Sequence, residues 1–184
     1  ELETGDLLMV AKNNYFWTEQ SKETDFIANG DIAVVRRFRR ERELYGFRFA
    51  DVLLRFLDYN DLELDAIVLL DTLRSEASAL TREEQERLFQ NVWDDYPEIT
   101  NRQQRGRKIK EDSYYNALQV KYAYAVTCHK AQGGQWQRVF IDQGYVTEET
   151  LSPDYFRWLY TAITRATEKV YLVNWPENQL ANTE

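Results

Sequence analysis

Two short segments carry the polar groups that could do chemistry: "TCHKAQGGQW", residues 127–136, and "TRA", residues 164–166. Each follows an apolar run, so both could face one ligand at an edge of the fold. Glycines at 133 and 134 would let the backbone approach a phosphate or sugar and offer its N–H groups. The alternative is a simple turn between strands. Arg165 stands where a helix would finish, and a cation there also stabilises the helix dipole without further duty.

Several kinds of chemistry are excluded by the inventory of residues. His129 is the only histidine and Cys128 the only cysteine, so neither a metal site nor a histidine-based triad has suitable partners, and we expect no bound metal. The phosphate-cradling pattern GxxxxGK[ST] does not occur in the sequence. We therefore expect that this chain cannot hydrolyse ATP alone.

The cysteine content and the absence of a long apolar run bear on location. A lone cysteine cannot form an internal disulfide, and no segment approaches the ~20 apolar residues of a membrane helix. We predict a cytoplasmic protein without a membrane partner. The chain opens with "ELETGDLLMV", which has neither an initiator methionine nor a signal-peptide pattern, and we interpret it as a fragment.

Charge is unevenly distributed. The net charge of −8 argues against binding a polyanion, yet "RRFRRER" at 36–42 holds five arginines and "RQQRGRKIK" at 102–110 holds three arginines and two lysines. Acids outnumber bases by 12 to 4 in residues 51–95. Both basic runs have an alternative interpretation as solvated surface.

The first half of the chain has the pattern of β-strands. "GDLLMV" and "DIAVV" predict two short strands, the second following a tight turn at Asn29 and Gly30. "FRFADVLLRFLDY" and "LELDAIVLLDTL" alternate imperfectly and are ambiguous between strand and helix. Their β-branched and aromatic content favours strands separated by a turn at Asn60 and Asp61.

The middle of the chain predicts a helix. Thr81 is a suitable N-cap, with Glu84 as its capping-box partner, and the pattern continues to Pro97. The basic stretch that follows, to about Asp112, is either an exposed loop or the start of another helix.

The last 60 residues alternate strand and helix. "YAYAVT", "RVFID" and "KVYLVN" predict strands, and "SPDYFRWLYTAITRA" predicts a helix capped by Ser152. Phe156, Leu159 or Tyr160, and Ile163 form the predicted inward stripe of this helix. Continuous apolar strands suit a parallel sheet covered on both faces, so we predict α/β organisation with loops available to ligand at the strand ends.

Four segments in this order resemble the C-terminal portion of superfamily 1 DNA helicases of the RecD-like and Dda-like branch, with a UvrD-type C-terminal domain. They are "GDLLMVAKNNY", "NGD", "AYAVTCHKAQGGQW" and "LYTAITRATEKVYLV". The resemblance covers residues 5–31 and 121–173 and leaves 45–118 uncovered. "VTCHKAQGGQW" looks like helicase motif V and "YTAITRA" looks like motif VI.

The resemblance implies roles for individual residues. Arg165 matches the motif VI arginine finger that reaches the γ-phosphate of ATP on a partner RecA-like domain. Residues implied at the ATP site, within motifs V and VI, are Gly133, Gly134, Gln135, Tyr160 and Thr164. Residues implied to contact single-stranded DNA through motif V are Thr127, His129, Lys130 and Gln132.

The resemblance also implies an architecture and partners. We expect an α/β fold, α+β overall, with an SH3-like β-barrel in residues 1–75, a helical and basic insertion in 76–118, and a partial RecA-like parallel α/β domain in 119–184. The expected partners are single-stranded DNA and the N-terminal RecA-like ATPase domain of the same protein. ATP and Mg²⁺ would act in the full-length protein, with neither bound by the fragment alone.

Both basic clusters become candidate phosphate contacts within this interpretation, with exposed aromatic residues as stacking surfaces. The candidate cations are Arg36, Arg37, Arg39, Arg105, Arg107 and Lys108, and the candidate aromatic residues are Tyr15, Phe16, Trp17 and Trp136.

Two positions depart from the family pattern. Gln135 stands where relatives commonly carry an acidic residue that contacts nucleotide or ribose, and Ala33 stands where they often carry glycine. The expected function is that of a C-terminal fragment of an ATP-dependent DNA helicase, inactive alone. The alternative is a non-enzymatic nucleic-acid or protein-binding module on a helicase-like scaffold.

Overall fold

A computed structural model describes residues 2–19, 22–144, 146–147, 151–176 and 179. The chain divides into two compact units, Glu1–Ala125 and Val126–Glu184, which we term the barrel unit and the C-terminal unit. Within the described ranges, no helix combines the length and the apolar character that crossing a bilayer demands.

The barrel unit is built around a closed barrel of five strands in the order β1-β2-β3-β4-β5. Neighbouring strands are antiparallel except β4 and β5, which are parallel. The predicted barrel is therefore present, and it extends beyond residue 75 because β5 closes it. The strands are β1 Leu7–Val10, β2 Ile32–Leu44, β3 Phe47–Phe56, β4 Leu62–Leu69 and β5 Leu118–Tyr122.

Strands β3 and β4 are buried on both faces at one end of their hairpin, around Phe49 and Leu69, which explains their imperfect alternation. One face fills the barrel interior, where Val52, Leu54 and Phe56 pack with Val68. The other face, at one end of the hairpin, contributes Phe49 and other apolar residues to a second core. Successive side chains of a strand point to opposite faces, so each strand serves two cores.

Three helices connect β4 to β5: α1 Asp71–Arg74, α2 Arg82–Asp94 and α3 Arg102–Lys110. The capping box predicted at Thr81 and Glu84 is present at the start of α2. The basic stretch left open between loop and helix is α3, capped by Asn101. Leu88 and Val92 of α2 and Ile109 of α3 complete the second core, so these helices belong to the barrel unit. Their second-core residues pack with Phe47, Phe49, Ile67, Leu69 and Ala117.

The turns of the barrel follow the predicted residues. Asn60 and Asp61 both have positive φ, 50° and 58°, in the turn between β3 and β4. In the "NGD" turn, an Asp31 carboxylate oxygen accepts the Ala28 N–H at 2.6 Å and the Tyr59 hydroxyl at 2.5 Å. Burial and this hydrogen bond raise the pKa of Tyr59 to about 12. Asp31 thereby joins two turns that are distant in sequence.

The parallel contact between β4 and β5 is short and is completed by a side chain. Only Val68 with Leu118 and Leu69 with Gln119 are paired. Beyond them, the buried Thr72 hydroxyl donates towards the carbonyls of Leu69 and Val120, at 2.8 and 2.9 Å, and accepts the Val120 N–H at 3.1 Å. Thr72 therefore satisfies backbone groups of β5 for which β4 offers no partner.

The C-terminal unit contains β6 Trp136–Asp142, α4 Pro153–Ile163 and β7 Ala166–Val173. The two strands pair in parallel, as the alternation of strand and helix predicts. Ser152 caps α4 by accepting the Tyr155 N–H, and proline follows it.

Three sequence-based expectations for this region are wrong. The strand predicted at "YAYAVT", residues 122–127, is instead Leu118–Tyr122, and it pairs with β1 and β4 in the barrel. The predicted inward stripe of α4 is largely exposed: Phe156 by 58%, Tyr160 by 72% and Ile163 by 42%. Phe140 of β6 is 68% exposed, so the parallel sheet is not covered on both faces by the described residues. The face of α4 that the described residues cover carries Tyr155, Trp158 and Ala162, of which Ala162 is buried. These residues recur at the same helical spacing as the predicted stripe, so the periodicity alone did not distinguish the two faces.

We predict that Thr72→Val destabilises the barrel unit by about 2 kcal/mol, because buried backbone groups of Val120 and Leu69 lose their partner. Thr72→Ser should retain most of the stability because it keeps the hydroxyl. Urea unfolding of the two variants and the parent measures the difference. A serine variant as unstable as the valine variant would mean that the methyl group, and not the hydroxyl, stabilises this seam.

Candidate functional site

The segment 127–134 forms a compact turn in the C-terminal unit. The N–H groups of Lys130 and Ala131 donate to the Thr127 carbonyl at 3.0 and 3.1 Å, and the Gly134 N–H donates to the Ala131 carbonyl at 3.2 Å. Gly133 takes a left-handed φ of 88°, which a side chain would strain. This local hydrogen bonding leaves four predicted site residues exposed on one turn: Thr127, His129, Lys130 and Gln132.

Arg165 lies against this turn. Its guanidinium donates from Nη1 to the Gly134 carbonyl at 3.2 Å, from Nε to the Thr161 carbonyl at 3.0 Å and from Nη2 to the Thr164 hydroxyl at 3.1 Å. Across the described residues Arg165 makes no ion pair with a carboxylate. Three of its five N–H groups are used, so two remain for a further acceptor. The side chain is thus oriented by neutral oxygens and keeps its positive charge uncompensated.

The backbone joins the same two segments. The Trp136 N–H donates to the Arg165 carbonyl at 2.9 Å, at the point where β6 and β7 begin to pair. Gly134 sits under the Trp136 indole, and a Cβ at this position would overlap the ring. Glycine is therefore required at 134 to keep the indole where it lies. The structure brings together Gly134, Thr164 and Arg165.

The remaining predicted residues of this site lie at its edge. Thr164 is the C-cap residue of α4, and its hydroxyl donates to the Tyr160 carbonyl at 2.9 Å. The Tyr160 side chain is exposed. Gln135 is exposed as well, and none of the described residues offers its side chain a hydrogen bond. The departure from an acidic residue at 135 leaves a neutral group at this rim.

Cys128 belongs to this site, although no functional role was predicted for it from the sequence. Its thiol lies 3.5 Å from the Trp158 carbonyl oxygen and is half-buried. Burial raises the pKa of the Cys128 thiol, and the nearby Arg165 charge opposes that rise. The sequence signal that could have found it is its position between two predicted site residues, Thr127 and His129.

The first basic cluster is largely neutralised within the barrel. Arg36 pairs with Glu63 at 3.5 Å and Arg39 with Asp65 at 2.5 Å, both on the adjacent sheet surface. The neighbouring Arg40 and Arg42 share Asp51. Arg37 is exposed and, in the part of the chain that the structure describes, has no charged partner.

The second basic cluster lies on α3 and divides in the same way. The Arg105 guanidinium donates to the Trp93 carbonyl, from Nε at 2.8 Å, and lies 4.6 Å from the centre of the Trp93 ring. Arg105 therefore attaches α3 to α2. Lys108 pairs with Glu111 at 3.6 Å. Arg107 is exposed and has no such partner among the described residues.

The aromatic residues predicted to stack on bases differ in their exposure. Tyr15 is 63% exposed and Trp136 is 42% exposed. Trp17 packs against both cores, and its indole N–H donates to the Asn116 carbonyl at 2.9 Å. No three side chains of histidine, cysteine, aspartate or glutamate within the described ranges are close enough to hold a metal ion.

Residues 122–173 match the family model described as the UvrD-like helicase C-terminal domain. The matched range contains both segments of the site, from Thr127 to Gly134 and from Tyr160 to Arg165. The resemblance to the C-terminal portion of a UvrD-type superfamily 1 helicase is therefore confirmed for these residues. No match was found among curated proteins.

We predict that the Cys128 thiol is alkylated more slowly in the folded chain than in the unfolded chain at mildly alkaline pH, because burial raises its pKa. Arg165→Gln should raise the midpoint of the pH–rate profile further, since it removes the charge that favours the thiolate. Arg138→Gln, a change at an exposed arginine of β6, is the matched control and should leave the profile unchanged. Because Cys128 is the only cysteine, iodoacetamide labelling followed by mass spectrometry gives a single-site rate. An unchanged midpoint in Arg165→Gln would contradict the proximity of the two side chains.

Proposed function

We propose that the C-terminal unit is part of a RecA-like domain of an ATP-dependent superfamily 1 DNA helicase, and that Arg165 is its arginine finger. The match to a helicase C-terminal domain supports a helicase-related function. In the full-length protein ATP, with Mg²⁺, would supply the phosphoryl group whose transfer to water drives translocation. Arg165 stabilises the negative charge on that group, a contribution that in other phosphoryl-transfer proteins is worth ~10³- to 10⁵-fold in rate.

One observation carries this proposal: the Arg165 guanidinium is held in place without being neutralised. Its contacts are two carbonyl oxygens and one hydroxyl, from Gly134, Thr161 and Thr164. A carboxylate partner would have to be displaced before the guanidinium could meet a phosphate. Neutral partners orient the side chain without an ion pair that would have to be broken, so its charge stays available to an incoming anion.

The surface of the C-terminal unit supports a partner domain. A parallel pair of strands normally lies in a sheet covered by helices on both faces. Here Phe140, Phe156 and Leu172 are 68%, 58% and 44% exposed. We propose that further strands and an ATP-binding RecA-like domain, carrying the phosphate-binding loop that this sequence lacks, cover these side chains.

Single-stranded DNA is the proposed nucleic-acid partner. The exposed motif V side chains Thr127, His129, Lys130 and Gln132 are candidate contacts in the C-terminal unit. We interpret the barrel unit as SH3-like. Its Arg37 and Arg107 are exposed and have no charged partners among the described residues, so they are better placed to bind phosphate than the cations that already have partners. Those cations are Arg36, Arg39, Arg105 and Lys108.

The exposed apolar surface of α4 and β6 favours a second candidate function. A protein-binding module on a helicase-like scaffold would also bury these side chains, without any ATP chemistry. A phosphate-binding GxxxxGK[ST] loop in the same polypeptide would favour the helicase. Its absence would favour the module.

We predict that Arg165→Ala lowers ATP turnover by about 10³-fold in the polypeptide that joins this segment to the ATP-binding domain. The loss should fall on kcat more than on KM, because the finger acts on charge that develops during transfer. Arg138→Ala, a change at an exposed arginine of the same unit, is the control and should turn over normally. Steady-state phosphate release measures both. Turnover within twofold of the parent in Arg165→Ala would eliminate the arginine-finger role.

We predict that the 184-residue chain binds labelled single-stranded DNA at low salt and releases it as salt increases. The double variant Arg37→Ala, Arg107→Ala should reduce the slope of log K against log[salt] by about 0.7 for each phosphate that it no longer neutralises. Arg39→Ala removes a charge already paired with Asp65 and should change the slope less. Fluorescence anisotropy at a series of salt concentrations tests this. Equal slopes for all variants would remove both arginines from the DNA-binding surface.

A further inference from the structure

A cavity of about 180 Å³ lies in the barrel unit, outside residues 122–173, the range that matches the helicase family model. It is lined by residues 12–16 after β1, by residues 115–117 before β5, and by Gln85 and Gln119. All of these belong to one compact unit, so the cavity is formed by a single body. Neither the motif V turn nor Arg165 contributes to it.

Two glutamines are among the polar residues that line this cavity. Gln119 is 8% exposed, and its Oε1 accepts the Leu80 N–H at 2.8 Å. Because a backbone N–H only donates, this contact fixes the oxygen and places the amide nitrogen towards Gln85, where it donates to Oε1 at 3.3 Å. One N–H of Gln119 and both N–H groups of Gln85 are left without partners in the described structure. The cavity therefore offers donors for carbonyl oxygens.

Aromatic rings form the sides. Tyr15 is 63% exposed, and its ring stacks on Phe26 with centroids 5.1 Å apart and an interplanar angle of 26°. One face of Tyr15 is thus supported, which holds the ring ready to stack on a ligand. Tyr115, in the segment before β5, also lines the cavity, and its ring contacts Phe89 edge-on with centroids 6.0 Å apart.

Asn14 stabilises the loop that carries Tyr15 through side-chain hydrogen bonds. Its Oδ1 accepts the N–H groups of Phe16 and Trp17 at 3.0 and 3.3 Å, and its Nδ2 donates to the Asn116 carbonyl at 2.9 Å. The two segments on either side of the cavity are therefore tied together before any ligand arrives. Lys12 lines the same cavity, and its ammonium has no acceptor among the described residues.

We propose that this cavity binds a nucleobase, whose carbonyl edge accepts hydrogen bonds from Gln85 and Gln119 while its ring stacks on Tyr15. Lys12 then meets the phosphate attached to the same nucleotide. A flat aromatic surface, amide donors and a cation at the rim together match a nucleotide better than a peptide or a simple anion. The proposal extends the proposed nucleic-acid role to a base-contacting site, but it requires neither ATP nor Arg165.

Binding of three probes to the full 184-residue chain tests the proposal: a fluorescent thymidine octamer, an octamer of the same length with abasic sites, and thymidine monophosphate as competitor. We expect the thymidine octamer to bind more tightly than the abasic octamer. Tyr15→Leu should weaken octamer binding about tenfold while leaving abasic binding unchanged. Gln85→Leu should weaken the octamer in the same direction.

Tyr124→Leu is the matched control, because Tyr124 is 64% exposed and stacks on Tyr122 at 5.9 Å but does not line the cavity. It should bind the octamer as the parent does. Thymidine monophosphate competing as well as the octamer would support a base site that serves free nucleotides. Poor competition by the monophosphate would support a site for single-stranded nucleic acid.

Equal binding of thymidine and abasic octamers, or an unaltered affinity in Tyr15→Leu, would overturn the base site. Salt-dependent binding of both octamers in that case would leave the proposed helicase function standing. Conversely, parental ATP turnover in Arg165→Ala would remove the arginine finger without touching the base site. Unfolding curves check that each variant retains its fold, as expected because Tyr15 and Gln85 lie outside both core clusters.

Discussion

The barrel depends on the parallel seam between β4 and β5. Parallel neighbours cannot be joined by a tight turn and need a crossover of a dozen or more residues. Residues 70–117 are that crossover, and they contain α1, α2 and α3. A long connection between these two strands is therefore a requirement of closure, and Thr72, near its start, completes the seam by bonding Val120.

The crossover between β4 and β5 also forms the second core and one side of the cavity. The crossover helices cover the outer face of β3 and β4, where Phe49 and Leu69 would otherwise meet water. Burial of that face supplies the apolar area that holds α2 and α3 in place. The return of the chain to β5 also brings residues 115–117 beside the loop after β1, and Gln119 beside Gln85. The cavity is thus a product of the same crossover.

Local signals predicted the elements well because the physics that forms them is local. The Thr81 capping box, the Ser152 cap and the left-handed turn at Asn60 and Asp61 each depend on residues within a few positions. The sheet that β5 joins could not be predicted in this way, since an apolar β-run has the same pattern in either unit. The exposure of Phe156 was missed because Tyr155, Trp158 and Ala162, which the structure covers, recur at the same helical spacing as the predicted stripe. The contacts of Arg165 could not be predicted from the sequence either. Arg165 does lie against the 127–134 turn, but two of the oxygens that hold it are backbone carbonyls. Every residue type has a backbone carbonyl, so no side-chain pattern encodes these contacts.

The contrast between the arginines gives the two units different electrostatic character. On the barrel, charge pairing between β2 and the acids of β3 and β4 turns a run of five arginines into a mostly compensated surface, on which Arg37 stands out. The acids that pair with Arg36 and Arg39 lie on β4, more than twenty residues away, so the sequence pattern hid them. Exposed ion pairs contribute little to stability, so the barrel pairs chiefly reduce the net field that a polyanion would meet there. An anion is attracted by the positive charge that neighbouring carboxylates leave uncompensated. Counting charged residues in the sequence therefore overstates the attraction of the first basic cluster and understates that of Arg165.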